Sequence, residues 1–358
     1  MTQRIDKLRS RFTALKVDSF LVTFMPHLRY LSGFSGSGGA GIVTARGVHF
    51  YTDGRYAEQI KKEVRGGWKL HVSSSSDALF QLIRDSGVLR PGTIVGFDGN
   101  TLLYQEFRSL KKLFPGVKFL PKADVIEQIA SVKDESEIRS IKKAVEISDT
   151  TFADILPMIR PGVRELDLAA EISYLQRKHG AEKDAFDTIV ASGPRSALPH
   201  GHATAKKIAR GELLTLDFGC VVEGYHSDMT RTVGVGRLPA DAKKIYALVL
   251  DAQRAAVDAA RAGLGTKDLD AVARGVIRRG GHDRHFRHSL GHGIGLQIHE
   301  APRISVQSRA VLARGNVVTI EPGVYIPGMG GVRIEDDVVI GAGGCTVLNR
   351  SPKELLIV

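Results

Sequence analysis

Residues 211–219 read GELLTLDFG and residues 315–323 read GNVVTIEPG, one phrase stated twice at an offset of 104, with Asp217 falling on Glu321. Each copy runs on about a dozen residues to a second acid, Asp228 in GYHSDMTRT and Glu335 in GVRIEDD. A weaker match lies upstream at an offset of 101, where Arg160, Gly162, Asp167 and Leu168 fall on Arg261, Gly263, Asp268 and Leu269. A period near one hundred residues is too long for a solenoid. It predicts two equivalent α/β halves facing each other, with acids from both halves meeting between them.

Acids on apolar strands need a reason. In LLTLDFG the two-residue alternation sets Leu214, Leu216 and Phe218 against Thr215 and Asp217, and VVTIEPG sets Val318 and Ile320 against Thr319 and Glu321. Four carboxylates converging on a buried cleft repel one another and lose hydration unless positive charge sits among them. No lysine is near them in sequence, and Arg333 alone cannot balance four. A pair of divalent cations can. Oxygen-rich ligation suits Mn²⁺, and one imidazole widens the choice to Co²⁺ or Zn²⁺. Residues 285–300, HFRHSLGHGIGLQIHE, supply His288, His292 and His299, with Gly291, Gly293 and Gly295 arguing for backbone close to a site. Any one of these histidines alone reads best as structural; three between two acidic strands read as a site. His200, in SALPHGHA, precedes the first acidic strand.

These residues resemble a known family. Asp217, Asp228, His292, Glu321 and Glu335 are similar to the five dinuclear metal ligands of the pita-bread metallopeptidases, and LDFG, GYHSDMTRT, GHGIGL, IHE, EPG and VRIEDD match in order across residues 190–340. RYLSGFSGSGG and TDGRY resemble the accessory domain of the proline-specific branch, so the likeness spans nearly the whole chain. The resemblance implies an α/β (α+β) architecture: a creatinase/prolidase-type amino-terminal domain over residues 1–123, then a pita-bread catalytic domain of two pseudo-symmetric halves over 124–358. It implies two divalent ions, Mn²⁺ first, with Asp217 on one, Glu321 and His292 on the other, and Asp228 and Glu335 bridging. Glu321 is then the proton shuttle between water and the leaving nitrogen, and His299 the imidazole that hydrogen-bonds substrate. His200 and His288 line the proline pocket, with His200 also counted among the catalytic groups. Arg333 anchors a carboxylate, on substrate or on a ligand, and Thr230 and Asp336 are candidates for orienting the ligands.

Length and composition agree. A chain of 358 residues with 43% apolar content suggests two domains around sizeable cores, with only the short serine run at 73–76 approaching low complexity. The apolar stretch FLVTFM at 20–25 is too short to span a bilayer, and the first residues, MTQRIDKL, carry no signal-like apolar run, so a cytoplasmic protein is expected. Two cysteines, Cys220 and Cys345, are expected as reduced thiols. Residues 1–123 hold 19 basic and 9 acidic residues, which is ten of the net eleven positive charges. Those charges are scattered and not interleaved with aromatics, so no nucleic-acid partner is expected. Strands are predicted near 18–24, 40–45, 47–52 and 93–97, with helices near 55–65, 164–179, 240–262 and 266–280, and a further one along residues 131–156 that stops by Pro161-Gly162. Ser131 or Asp134 is the expected cap of the first long helix of the catalytic domain.

Rival classes predict different residues. A methionine aminopeptidase needs no 120-residue accessory domain. A creatinase-type amidinohydrolase or a non-catalytic binding module on this fold would have lost ligands, and all five are present. Within the proline-specific branch, aminopeptidase P cleaves longer Xaa-Pro peptides and prolidase only Xaa-Pro dipeptides. The distinction lies in a loop or cation that reads the free carboxylate. The compact length fits the small bacterial-type enzymes of either name; aminopeptidase P is the expected activity, with prolidase the alternative, and the resemblance implies a homodimer.

Overall fold

A computed structural model describes residues 1–75 and 79–358, so Ser76, the last of the serine run, lies outside the described residues. The chain divides into two compact units, Met1–Ala130 and Ser131–Val358. The division falls after the expected 123/124 boundary because the helix Val125–Ala130 buries Ile126 and Ile129 in the first unit.

The first unit is a six-stranded mixed sheet. Its strands are β1 (Ser19–Val22), β2 (Ala40–Thr44), β3 (Val48–Asp53), β4 (Lys69–Ser73), β5 (Ile94–Asp98) and β6 (Lys118–Lys122), in the order β4-β3-β2-β1-β5-β6. The expected helix is present as Ala57–Glu63. β4 and β6 were not expected from the sequence. Both are edge strands with largely exposed faces and lysines at their ends, so they lack the apolar alternation that betrays a half-buried strand.

In the second unit the two sequence copies become two strand systems. The first half is a three-stranded sheet of β7 (Ile189–Ser192), β8 (Glu212–Phe218) and β9 (Met229–Val235), with β8 central and both pairings antiparallel. The second half is a five-stranded sheet containing β10 (Gly291–Gly293), β11 (Glu300–Ile304), β12 (Val317–Ile320), β13 (Asp336–Ile340) and β14 (Cys345–Val347), in the order β11-β10-β12-β13-β14. The repeat is legible in the registers. Met229 opposes Phe218 where β9 returns along β8, and Asp336 opposes Ile320 where β13 returns along β12. In both halves the second acid, Asp228 or Glu335, is the residue just before the returning strand.

Each half has its own helices behind it. Leu214, Leu216 and Phe218 share a core with Phe152 and Ile155 of α1 (Glu135–Ile155) and Leu168 and Ile172 of α2 (Glu165–Lys178). Val318 and Ile320 share another with Ile245 and Val249 of α3 (Ala240–Ala259) and Leu269, Ala273 and Ile277 of α4 (Thr266–Arg279). Burying one such leucine or isoleucine stabilises by about 1.5–3 kcal/mol. Strand alternation then sends the residues between them, Asp217 and Thr319, to the face away from the helices.

Of the two expected caps for α1, Asp134 is the one used: its carboxylate accepts from the backbone N–H of Ser136 at 2.9 Å and of Glu137 at 3.0 Å. Asp134→Ala is expected to lower unfolding free energy in urea by about 1 kcal/mol, with Asp134→Asn retaining most of it. Equal stability of Asp134→Ala and the parent would remove the cap from the account.

Candidate metal centre and substrate cleft

The ends of β8 and β12, the turns before β9 and β13, and β10 together line a cavity of about 630 Å³. Asp217, Asp228, His292, Glu321 and Glu335 all reach it, as do His200, His288, His299 and Arg333. Ligand atoms of Asp228, His292 and Glu335 lie within 4.8 Å of one another. His292 Nε2 is 3.6 Å from Asp228 and 3.5 Å from Glu321. Its Nδ1 lies 3.0 Å from the Gly293 carbonyl, so the proton sits on Nδ1 and the Nε2 lone pair faces the carboxylates. The flanking glycines are required by close backbone approach: a Cβ on Gly291 would stand 2.0 Å from the Thr319 carbonyl oxygen, and one on Gly293 2.2 Å from that of Ala301.

The electrostatics of these groups favour positive charge among them. Burial raises the Asp228 and Glu335 carboxyls well above their ordinary range, with neighbouring carboxylates adding to it. Burial also lifts Glu321 to about 8, against the opposing pull of Arg333. His292 is lowered to about 4, by burial first and then by His299, so it is neutral at physiological pH. Asp217 Oδ1, Asp228 Oδ1 and Glu335 Oε1 are buried without a hydrogen-bond donor. Unpaired anionic oxygens at such a site are what divalent cations satisfy, so these residues fit a two-metal centre.

The groups around the ligands orient them. Thr230 donates to Glu335 at 2.6 Å, and Thr319 donates to Glu321 at 3.2 Å while accepting from the His292 backbone. Asp337, not the expected Asp336, supports a ligand: it accepts from the Asp228 backbone N–H at 3.0 Å. Asp336 points the other way, into a buried group with Arg231 at 2.7 Å, Gln253 and Lys353. The two residues are neighbours on a strand, so they face opposite sides.

Arg333, expected to anchor a carboxylate on substrate or on a ligand, turns toward the protein. It donates to Asp217 at 2.5 Å, Tyr325 at 2.7 Å, Thr230 at 2.9 Å and the Pro199 carbonyl at 3.1 Å. Its geometry is that of a residue positioning a ligand. His288 lines the cavity but has both ring nitrogens engaged, Nδ1 by the Ser289 carbonyl at 2.8 Å and Nε2 by Tyr325 at 2.9 Å. Burial and then Arg333 lower it to about 3. His299 packs edge-on against His292 with ring centroids 4.4 Å apart, and both His299 and His200 are exposed toward the cavity. Burial, then Arg303 and His200, lower the His299 pKa, favouring a neutral ring.

Several lining or supporting residues had no sequence signal. Phe186, Asp187 and Ile189 enter from β7 and its approach, His202 from the later segment bridged to Ile189, and Arg303 from β11. Lys133, 1% exposed, pairs with Glu300 at 2.8 Å and so ties down the loop that carries His299. That pair joins residues 167 apart, a distance no local pattern spans.

Comparison with known proteins gives the same picture. Residues 139–342 match the model of metallopeptidase family M24, and residues 4–132 that of the creatinase/prolidase N-terminal domain. An Xaa-Pro dipeptidase of Pyrococcus furiosus is 40% identical over 99% of this chain and all of its own. An Xaa-Pro dipeptidase structure from Bacillus anthracis superposes with a TM-score of 0.94 at 41% identity, covering 99% of both chains. An X-Pro aminopeptidase structure from Thermotoga maritima superposes at 0.89 with 38% identity, covering 97% of this chain and all of that one.

Chelator-stripped protein is expected to melt earlier than protein reloaded with Mn²⁺, by about 2.7 kcal/mol at one hundred times the dissociation constant. Glu335→Gln should stabilise the stripped protein and abolish most of the metal response. Identical melting of stripped and reloaded protein would exclude the centre. Lys133→Met leaves a buried carboxylate unpaired and should cost about 3–5 kcal/mol in denaturant unfolding.

Proposed function

The chain belongs to metallopeptidase family M24, and from that premise we propose that it is an Xaa-Pro dipeptidase, releasing proline from dipeptides. Arg303 carries this reading. It stands exposed at the mouth of the metal-ligand cavity, and among the described residues no carboxylate is paired with it. A free guanidinium at that place is the cationic group that a dipeptidase needs to recognise a substrate carboxylate, whereas a longer peptide places an uncharged amide there. The aminopeptidase P activity expected from the sequence gives way on this ground to its prolidase alternative. Two of the relatives described above bear the name Xaa-Pro dipeptidase, and the Thermotoga maritima protein keeps the other reading in view.

Two divalent cations, proposed as Mn²⁺ with Co²⁺ or Zn²⁺ as substitutes, would be held by Asp217, Asp228, His292, Glu321 and Glu335 and would supply water activation and Lewis acidity at neutral pH. The chain's own groups do the rest. Glu321, a carboxyl whose pKa burial lifts to about 8, is suited to take a proton from water and return it to the leaving nitrogen. That return matters for proline, whose tertiary imide nitrogen leaves only when protonated. His299 donates a hydrogen bond to the carbonyl that becomes tetrahedral, with His200 beside it. Ile189, Ile298 and Phe186 offer the proline ring an apolar wall.

The reading includes a cytoplasmic homodimer. Free Cys220 and Cys345 suit a reducing compartment, and light scattering at twice the 38.8 kDa chain mass checks the dimer. Among the described residues no helix is long and apolar enough to cross a membrane.

With Mn²⁺-reloaded protein, Gly-Pro is expected to be cleaved and Gly-Pro-Gly to be left intact. Arg303→Ala should raise KM for Gly-Pro about 10–100-fold, the worth of a charge-assisted hydrogen bond, and His299→Ala should lower kcat about 10²–10³-fold. Release of glycine from the tripeptide at a comparable rate would return the enzyme to the aminopeptidase P class.

A further inference from the structure

A second cavity, of about 590 Å³, adjoins the first and shares His288, Ser289 and Arg303 with it. Four guanidinium groups line it, from Arg274, Arg278, Arg287 and Arg303, against a single carboxylate, Asp283. The four are not equivalent. Arg274 is neutralised and fixed: it donates to Asp270 at 2.8 and 3.1 Å and lies over the Phe286 ring at 4.1 Å. Arg278 is partly offset by Asp283 at 3.4 Å. Among the described residues Arg287 meets only the Arg284 carbonyl, at 3.3 Å, and Arg303 forms no ion pair with a carboxylate; both are exposed. Among the described residues, then, two positive charges facing one open cavity have no carboxylate within ion-pair distance, Arg303 acting only at longer range on Glu321. Ser289, Ser305 and Gln307 add neutral hydrogen-bonding groups to its walls.

The chemistry selects the ligand. Two such charges call for a dianion, and guanidinium forks match the paired oxygens of phosphate. The volume is that of an ordinary small-molecule site. We propose that this arginine-lined cavity binds a small dianion of the phosphate class, and that Arg303 couples it to the active site. The coupling rests on the dipeptidase reading. An anion that engages Arg303 from one side withdraws it from the substrate carboxylate on the other, so the two ligands compete.

The test uses the full chain without metal, so that phosphate cannot bind the catalytic centre through cations. Isothermal titration of sodium phosphate at fixed ionic strength should show saturable one-to-one binding. Arg287→Ala should weaken it at least tenfold. Arg279→Ala, an exposed arginine of α4 outside the cavity, should not. Binding that never saturates, or that is equal in Arg287→Ala, overturns the site. In the reloaded enzyme phosphate should raise KM for Gly-Pro without changing kcat, and less so in Arg287→Ala. An equal rise in both proteins indicates metal sequestration and overturns the coupling. If phosphate does not bind but Arg287→Ala raises KM only for dipeptides with an acidic first residue, the cavity receives a substrate side chain and the free-anion proposal falls. If phosphate binds as expected while Gly-Pro is not cleaved, the anion site stands and the dipeptidase reading fails.

Discussion

Like charges held close together out of water are the constraint on which the second unit depends. Asp228, Glu321 and Glu335 are buried among one another and beside Asp217, and their carboxyls are pushed toward the protonated form. A fold that assembles such a group must hold it by force from behind. The two apolar cores do this: each half presses its acid-bearing strand against its own pair of helices. Buried guanidiniums then bind the halves across the middle. Arg333 belongs to the second half yet reaches Asp217 and Thr230 of the first, and Arg231 of the first half reaches Asp336 and the Glu335 carbonyl of the second.

The parts of this arrangement that were legible in the sequence are those with a period. Repetition at 104 residues announced the two halves, and alternation along LLTLDFG and VVTIEPG put Asp217 and Thr319 on the open face. Helices α1 to α4 appeared within a few residues of their expected ends because their apolar spacing is regular. What was not legible lacks a period. Edge strands β4 and β6 carry too little apolar surface to announce themselves. The choice of Asp337 over Asp336 depends on which side of a strand faces the centre, and a one-residue shift reverses it. Lys133 and Glu300 meet only through the tertiary fold. Arg333 was visible as a cation near the acids, but its direction was not, because a guanidinium is recognised by what surrounds it. Arg303 went unremarked: one basic residue on a strand has no local signature, and only its place at the cavity mouth gives it meaning.

The hydrogen bonds around the centre also have an arithmetic consequence. Arg333 occupies Asp217 Oδ2 and Thr230 donates to Glu335 Oε2, while Asp217 Oδ1 and Glu335 Oε1 are left without donors. A guanidinium fork and a hydroxyl thus sort the two oxygens of each carboxylate into one already committed and one wholly open. Were a cation bound, each of these two carboxylates would offer it an oxygen that no donor occupies, so the neutral and cationic side chains around the centre share with the acids in setting how the ligands are presented.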